Sequence, residues 1–261
     1  MGRTTSAAAT IAALALAAGL AAPAAAATSA EPGDLDWFFT RALGGTGTTS
    51  FPDFGNALDG DFPLVCDVTG EGDEPGLWSF GRFYLGDGAV DVSFGRSDGS
   101  DYPICGDWDG DGIDTPGVVR GNRFILARSN VDGGGGTTSF AFGRSDDFLV
   151  VGDWDGDGDD TVAVVRGNQY IAATANVDGG GGVKVSSWGA PTDFPVAGDW
   201  DGDGDDTIAL QRGNTFFVSN GSIGTRLAAD RTFGYGRAGD HPVAGTLAPD
   251  TRASIGLVRE S

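Results

Sequence analysis

Three short acidic stretches hold the residues best suited to chemistry. They read Asp107-Trp108-Asp109-Gly110-Asp111-Gly112-Ile113-Asp114, Asp153-Trp154-Asp155-Gly156-Asp157-Gly158-Asp159-Asp160 and Asp199-Trp200-Asp201-Gly202-Asp203-Gly204-Asp205-Asp206. Each is followed by Thr and a short apolar run. Asp at positions 1, 3 and 5, with Gly at position 6 for a sharp turn, is the beginning of an oxygen cage for calcium. That hard cation takes six to eight oxygens at about 2.3–2.6 Å. One such stretch could be an acidic surface turn. Three copies at a fixed spacing imply a repeated device, with about three Ca2+ sites expected.

Other chemistry is poorly supplied. The chain has one His, at position 241, and lacks the H-E-x-x-H pattern. A His-based nucleophilic site needs an oriented imidazole, but His241 falls in a slot that other repeats fill with an aromatic residue. No pair of carboxylates is singled out for glycoside hydrolysis. The expectation is that the chain is not an enzyme. The formal net charge of −21 argues against a nucleic-acid partner, which needs a basic footprint. The three loops supply 14 of the 37 acidic residues.

Those loops must be positioned by something periodic. Asp followed by a ring recurs as Asp61-Phe62, Asp101-Tyr102, Asp147-Phe148, Asp193-Phe194 and Asp240-His241, at intervals of 40, 46, 46 and 47 residues. Between these marks lie segments of four to seven residues rich in Val, Ile, Phe and Thr, bounded by Gly, Asn and Asp; such segments read as strands joined by turns. Four strands per repeat of about 45 residues is the pattern of propeller blades. The last repeat ends after its second strand, at Ile255–Glu260. Asp36–Thr40 matches a third strand and Thr48–Phe51 a fourth. The expected fold is therefore all-β: a five-bladed β-propeller of four-stranded blades, closed by N-terminal strands that complete the last blade.

Residues 1–27 have a short basic start, an Ala- and Leu-rich stretch and small residues at an A-x-A site, as in a secretory signal peptide. Residues 28–35 read as a linker and 36–261 as the propeller. The expected protein is secreted, has no membrane span once the signal is cleaved, and is a monomer.

The D-x-D-G-D-G loops, the Phe-Gly pairs (Phe94-Gly95, Phe142-Gly143) and the apolar strand after each loop resemble the VCBS/FG-GAP repeats, calcium-loop propeller repeats also found in integrin α-subunit heads. The resemblance covers residues 36–261. It implies a position-7 carbonyl ligand, here on Ile113, Asp159 and Asp205. The family's last carboxylate sits at position 9. Here position 9 is Thr and the Asp is at position 8, so Asp114, Asp160 and Asp206 are the candidates for the remaining ligands. The expected metal ligands are thus Asp107, Asp109, Asp111, Ile113 and Asp114; Asp153, Asp155, Asp157, Asp159 and Asp160; and Asp199, Asp201, Asp203, Asp205 and Asp206. The loop Asp67–Glu74 keeps oxygens but not the ideal set, and Thr246–Asp250 should hold no ion.

In the family the strand before the calcium loop is innermost. Cys66 and Cys105 then lie on inner strands of consecutive blades, one position apart in register. Opposite parity lets them meet across the packed sheets, and an exported chain would oxidise them to a disulfide. The runs Val131–Gly136 and Val177–Gly182 read as flexible hairpins. Arg120, Arg166 and Arg212, with Arg96, Arg144 and Arg237, are placed on the face opposite the loops. The function expected is a secreted calcium-binding module, with a structural metal, that engages an unknown extracellular protein or glycan. The alternatives are a lectin-like propeller, favoured if Trp37, Trp78 or Trp188 is exposed beside Arg, and a secreted hydrolase on a propeller scaffold.

Overall fold

The computed structural model describes residues 34–40, 43, 48–51, 54–55, 60–86, 88–247 and 251–260. The signal-peptide reading of 1–27, nearly all of the linker and residues 248–250 of the last loop lie outside them. Among the described residues, twenty strands form five four-stranded antiparallel sheets. Blade one holds β3 (Phe62–Cys66), β4 (Glu74–Ser79), β5 (Arg82–Leu85) and β6 (Val90–Ser93). Blade two holds β7 (Tyr102–Gly106), β8 (Thr115–Arg120), β9 (Arg123–Ala127) and β10 (Thr137–Ala141). Blade three holds β11 (Phe148–Gly152), β12 (Thr161–Arg166), β13 (Gln169–Ala173) and β14 (Val183–Ser187). Blade four holds β15 (Phe194–Gly198), β16 (Thr207–Arg212), β17 (Thr215–Val218) and β18 (Arg231–Gly234).

Blade five is built from both ends of the chain. It runs in the order β19 (His241–Thr246), β20 (Ala253–Glu260), β1 (Leu35–Thr40) and β2 (Thr48–Phe51). Trp37 pairs with Val258 on one side and Phe51 on the other. Trp37 and Phe39 are fully buried, so the apolar side chains of β1 drive closure. The closure pairs the strand edges that two free chain ends would leave open to other chains.

Burial explains why the strands of one blade differ in composition. Inner strand β11, Phe-Leu-Val-Val-Gly, is buried at its last four positions. It is packed on both faces and therefore reads as a continuous apolar run. Outer strand β14, Val-Lys-Val-Ser-Ser, buries only its fourth residue. Gly152 ends β11 because a side chain has no room there: a Cβ would lie 2.5 Å from Asp206 Oδ2 of the next blade.

Cys66 on β3 and Cys105 on β7 form a disulfide between blades one and two, with Cα atoms 6.1 Å apart. The runs expected to be flexible hairpins are instead specific seats. Each contains a short 3-10 turn, at Asp132–Gly135 and Asp178–Gly180. Asp132 accepts a hydrogen bond from Ser93 N of blade one at 2.7 Å, and Asp178 accepts one from Ala141 N of blade two at 2.8 Å. Gly180, at φ +81°, presses on the Phe142 ring, where a Cβ would come within 2.6 Å. Among the described residues no helix is long and apolar enough to cross a membrane.

Candidate metal centre

Each acidic loop joins the first two strands of its blade, leaving the inner strand at its C-terminal end. The loop folds around its first carboxylate. Asp107 Oδ1 accepts hydrogen bonds from Gly110 N (2.8 Å) and Asp111 N (3.1 Å), and Oδ2 accepts one from Gly112 N (2.7 Å). Asp153 and Asp199 repeat this pattern. The position-6 glycines Gly112, Gly158 and Gly204 have φ of +83°, +95° and +100°, the left-handed region that a side chain disfavours. The Trp at position 2 fixes the base of the loop. Trp108, Trp154 and Trp200 donate Nε1–H to the carbonyls of Thr115, Thr161 and Thr207 at 3.0–3.1 Å.

The outcome is three carboxylate triads: Asp107/Asp109/Asp111, Asp153/Asp155/Asp157 and Asp199/Asp201/Asp203. Within each triad one oxygen per residue lies within 4.8 Å of the others. An all-oxygen, triply anionic donor set of that span suits a hard divalent cation. A cation of the chain already occupies part of one set: Lys184 Nζ lies 3.0 Å from Asp155 Oδ2 and donates to Trp154 O at 2.9 Å. On both counts, the donor chemistry and this stand-in cation, the residues fit a calcium ion, and three Asp triads can hold metal ions.

The position-8 carboxylates go elsewhere in this structure. Asp114 Oδ2 accepts Asp67 N at 2.9 Å, Asp160 Oδ2 accepts Asp107 N at 2.9 Å, and Asp206 Oδ2 accepts Asp153 N at 3.3 Å. The backbone answers each time: Asp114 N, Asp160 N and Asp206 N donate to the carbonyls of Asp67, Asp107 and Asp153 at 2.5–2.6 Å. Position 8 is therefore a clasp onto the preceding blade's loop. The clasps surround an axial cavity of about 220 Å³ lined by Asp73, Asp114, Asp160 and Asp206 among others. At the junction of blades four and five the backbone clasp persists, Ala253 N donating to Asp199 O at 2.7 Å. There Ala253 stands where the other junctions have an acid.

The clasp carboxyls keep some contact with the channel but are otherwise enclosed by protein. Burial raises the pKa of Asp73, Asp114 and Asp206, and neighbouring carboxylates push the same way. Asp160 is pushed up to about 7, by burial first and despite its bond from Asp107 N. Asp159, on the loop, is raised to about 6 by burial and by Asp157. The position-7 residues Ile113, Asp159 and Asp205 follow the turn; Asp205 Oδ2 accepts Ser222 Oγ–H at 2.7 Å.

Asp67 accepts the N–H groups of Thr69, Gly70 and Gly72 as the other loops' first carboxylates do. Its loop is one residue shorter, however. Glu74 pairs with Cys66 where Thr115 pairs with Gly106, so Asp73 corresponds to Asp114.

At the opposite end of the inner strands the Arg residues are bound, not free. Arg120 forks onto Asp101, Arg166 onto Asp147, Arg212 onto Asp193 and Arg259 onto Asp240, with all eight N···O distances between 2.6 and 2.8 Å. The same carboxylates also accept the N–H groups of Arg96, Arg144, Ala190 and Arg237. Sequence reasoning found the recurring Asp and missed its role. The signal was a constant interval of 19 residues from Asp to Arg. Beside these forks Phe62 meets Tyr102 and Phe148 meets Phe194 edge-on, each pair with centroids 5.0 Å apart. His241 is partly buried at the corresponding place, and burial holds its pKa down against Glu260 and Asp240. Trp37 and Trp78 are buried and Trp188 is partly buried. The exposed Trp–Arg platforms that would favour a lectin are therefore not formed by Trp37 or Trp78.

No family model matches the chain. No curated protein matches it either. Among solved structures it is similar to a Photorhabdus luminescens Tc holotoxin pore, with a TM-score of 0.42 and 13% identity over 85% of this chain. This chain spans 13% of the length of that one.

Proposed function

We propose that this chain is a secreted calcium-binding propeller of the FG-GAP/VCBS type, not an enzyme, in which calcium serves a structural role and the ring acts as a binding module for an extracellular protein or glycan. The observation that carries the reading is the assembly of three equivalent Asp triads by three equivalent loops. When bound, calcium supplies charge neutralisation and a rigid bridge across the turn. The chain's own part is to hold the first carboxylate in place with three backbone N–H groups and to seat the loop on the Trp below it. The Cys66–Cys105 disulfide supports an oxidising compartment. The leader-like residues 1–27 agree with export. The test is a melting curve in calcium and in EDTA: the reading expects a large drop on chelation, and superimposable curves would refute it.

A glycan partner is the second reading. It is favoured by a cavity of about 360 Å³ between blades two and three, walled by Tyr102 and Phe148 with Ser100, Ser145 and Asp146. Aromatic faces beside a few polar groups suit sugar rings. A glycan array probed with and without calcium tests it, and binding that is lost in Tyr102→Ala supports this cavity.

A further inference from the structure

The three triads share a sequence pattern and a backbone, but their neighbours differ. In the 107–111 loop the hydrogen bonds to Asp107 and Asp111 come from the loop's own N–H groups. In the 199–203 loop Asn220 Nδ2 donates to Asp201 Oδ2 at 2.8 Å, adding a neutral donor. In the 153–157 loop the neighbour is charged. Lys184, the second residue of β14, reaches over the rim of its own blade to Asp155 Oδ2 and to the carbonyl of Trp154. The equivalent residue of β10 is Thr138: Lys184 pairs with Ala172 as Thr138 pairs with Leu126. In blade four that position is Arg231, which pairs with Val218, but the side-chain donor on that triad is Asn220. Among the described residues a basic side chain bonded to a triad is found only at the 153–157 loop.

We propose that Lys184 is a tethered competitor for the 153–157 site, so that the three loops fill in sequence and this one fills last. The inference rests on the calcium reading above. An oxygen cage's affinity follows the charge of its ligands, and an ammonium on Asp155 cancels one of the triad's three negative charges. The ion pair is partly solvent-exposed, at 27% and 46% for the two side chains. Such pairs are weak, so calcium displaces the lysine instead of being shut out. Displacement costs the two bonds that Lys184 makes. It also leaves an ammonium on a short tether, well inside the screening length of about 8 Å. Together these lower the site's affinity by about tenfold, equivalent to one decade in Kd. A chain with this arrangement responds to calcium over a wider concentration range than one with three equal sites. The last step frees β14 from the loop.

The experiment is a calcium titration of the full chain by calorimetry, alongside terbium luminescence sensitised by Trp108, Trp154 and Trp200. The wild type should show a weak final phase that is absent in the Asp155→Asn/Asp157→Asn variant. Lys184→Met, which keeps the apolar stem, should strengthen that phase about tenfold, whereas Lys184→Arg should leave it weak. Lys184→Thr, the residue of blade two, is the second neutral variant should Met perturb folding. Calcium binding that is identical in the wild type and both neutral variants overturns the role of Lys184 and leaves the calcium reading standing. Absence of calcium binding in all the proteins overturns both.

Discussion

Asp101 and Asp107 flank the five-residue strand β7, and their carboxylates meet opposite circumstances. Asp101 is buried and held by both arms of the Arg120 guanidinium and by Arg96 N–H. Asp107 sits in a triad with two further carboxylates and, among the described residues, no basic side chain bonded to it. Blades three and four repeat the contrast. One rim of the ring has its anions neutralised by the chain itself. The other gathers like charges in three triads that can hold a metal ion, with Lys184 bonded to one of them. The same amino acid is thus a structural counter-ion at one end of a strand and an open ligand at the other. What decides between them is whether the second strand carries Arg at its far end, as at Arg120, Arg166, Arg212 and, one residue from the end, Arg259.

The comparison is broken most severely by removing the ion. At about 10 mM calcium, with affinities of roughly 10⁻⁴–10⁻³ M at two sites and about tenfold weaker at the 153–157 site, the ions would stabilise the fold by about 3–7 kcal/mol. EDTA should therefore lower the melting temperature by about 10–25 °C, read by calorimetry or near-UV dichroism.

The next effect belongs to the other rim. Arg166→Ala strands the Asp147 side chain, which is 2% exposed. Because Arg166 itself is partly exposed the loss is smaller than for a fully buried pair, but it should exceed that of an exposed ion pair such as Arg82–Asp91. The loss should appear in urea unfolding with calcium and with EDTA alike, because this rim does not depend on metal.

The smallest effect separates the rims by pH. Burial pushes the carboxyls of Asp101 and Asp240 up, but their Arg partners and backbone donors bring both below the usual range; for Asp193 the Arg212 hydrogen bond outweighs burial. Stability from these groups is complete above the unfolded carboxylate value of about 3.9 and is lost as pH falls through the lower folded value. The loop rim runs the other way. Without metal, Asp160 at about 7 and Asp159 at about 6 favour the protonated folded form. That contribution is complete below about 3.9 and is lost as pH rises towards 7. The melting temperature in EDTA should therefore be highest near pH 4–5, and saturating calcium should move the maximum toward neutrality. An optimum that stays put would mean the loop carboxylates do not carry the coupling.

Much of this was legible in the sequence because it repeats or alternates. The blades and the closure by Trp37-Phe38-Phe39 follow from strand periodicity; the meeting of Cys66 with Cys105 follows from parity together with the inner-strand placement that the family resemblance implies. Features that join distant residues were hidden. Asp160 clasps Asp107, 53 residues earlier, and a reading confined to one loop assigns that carboxylate to its own loop's ion. The Gly runs looked loose because composition does not reveal the rings of Phe94 and Phe142 that Gly134 and Gly180 cover. The one-residue shortening of the Asp67–Glu74 loop hid that Asp73 takes the place of Asp114.

The central claim is that the Asp triads hold calcium, and counting the ions tests it most directly. Equilibrium dialysis of the full chain against rising calcium until the bound count is constant, with the metal measured by mass spectrometry, should give three ions per chain, one for each triad. It should give two when Asp107, Asp109 and Asp111 are all changed to Asn. A folded chain that retains no calcium, or the same amount with and without those carboxylates, would contradict the account.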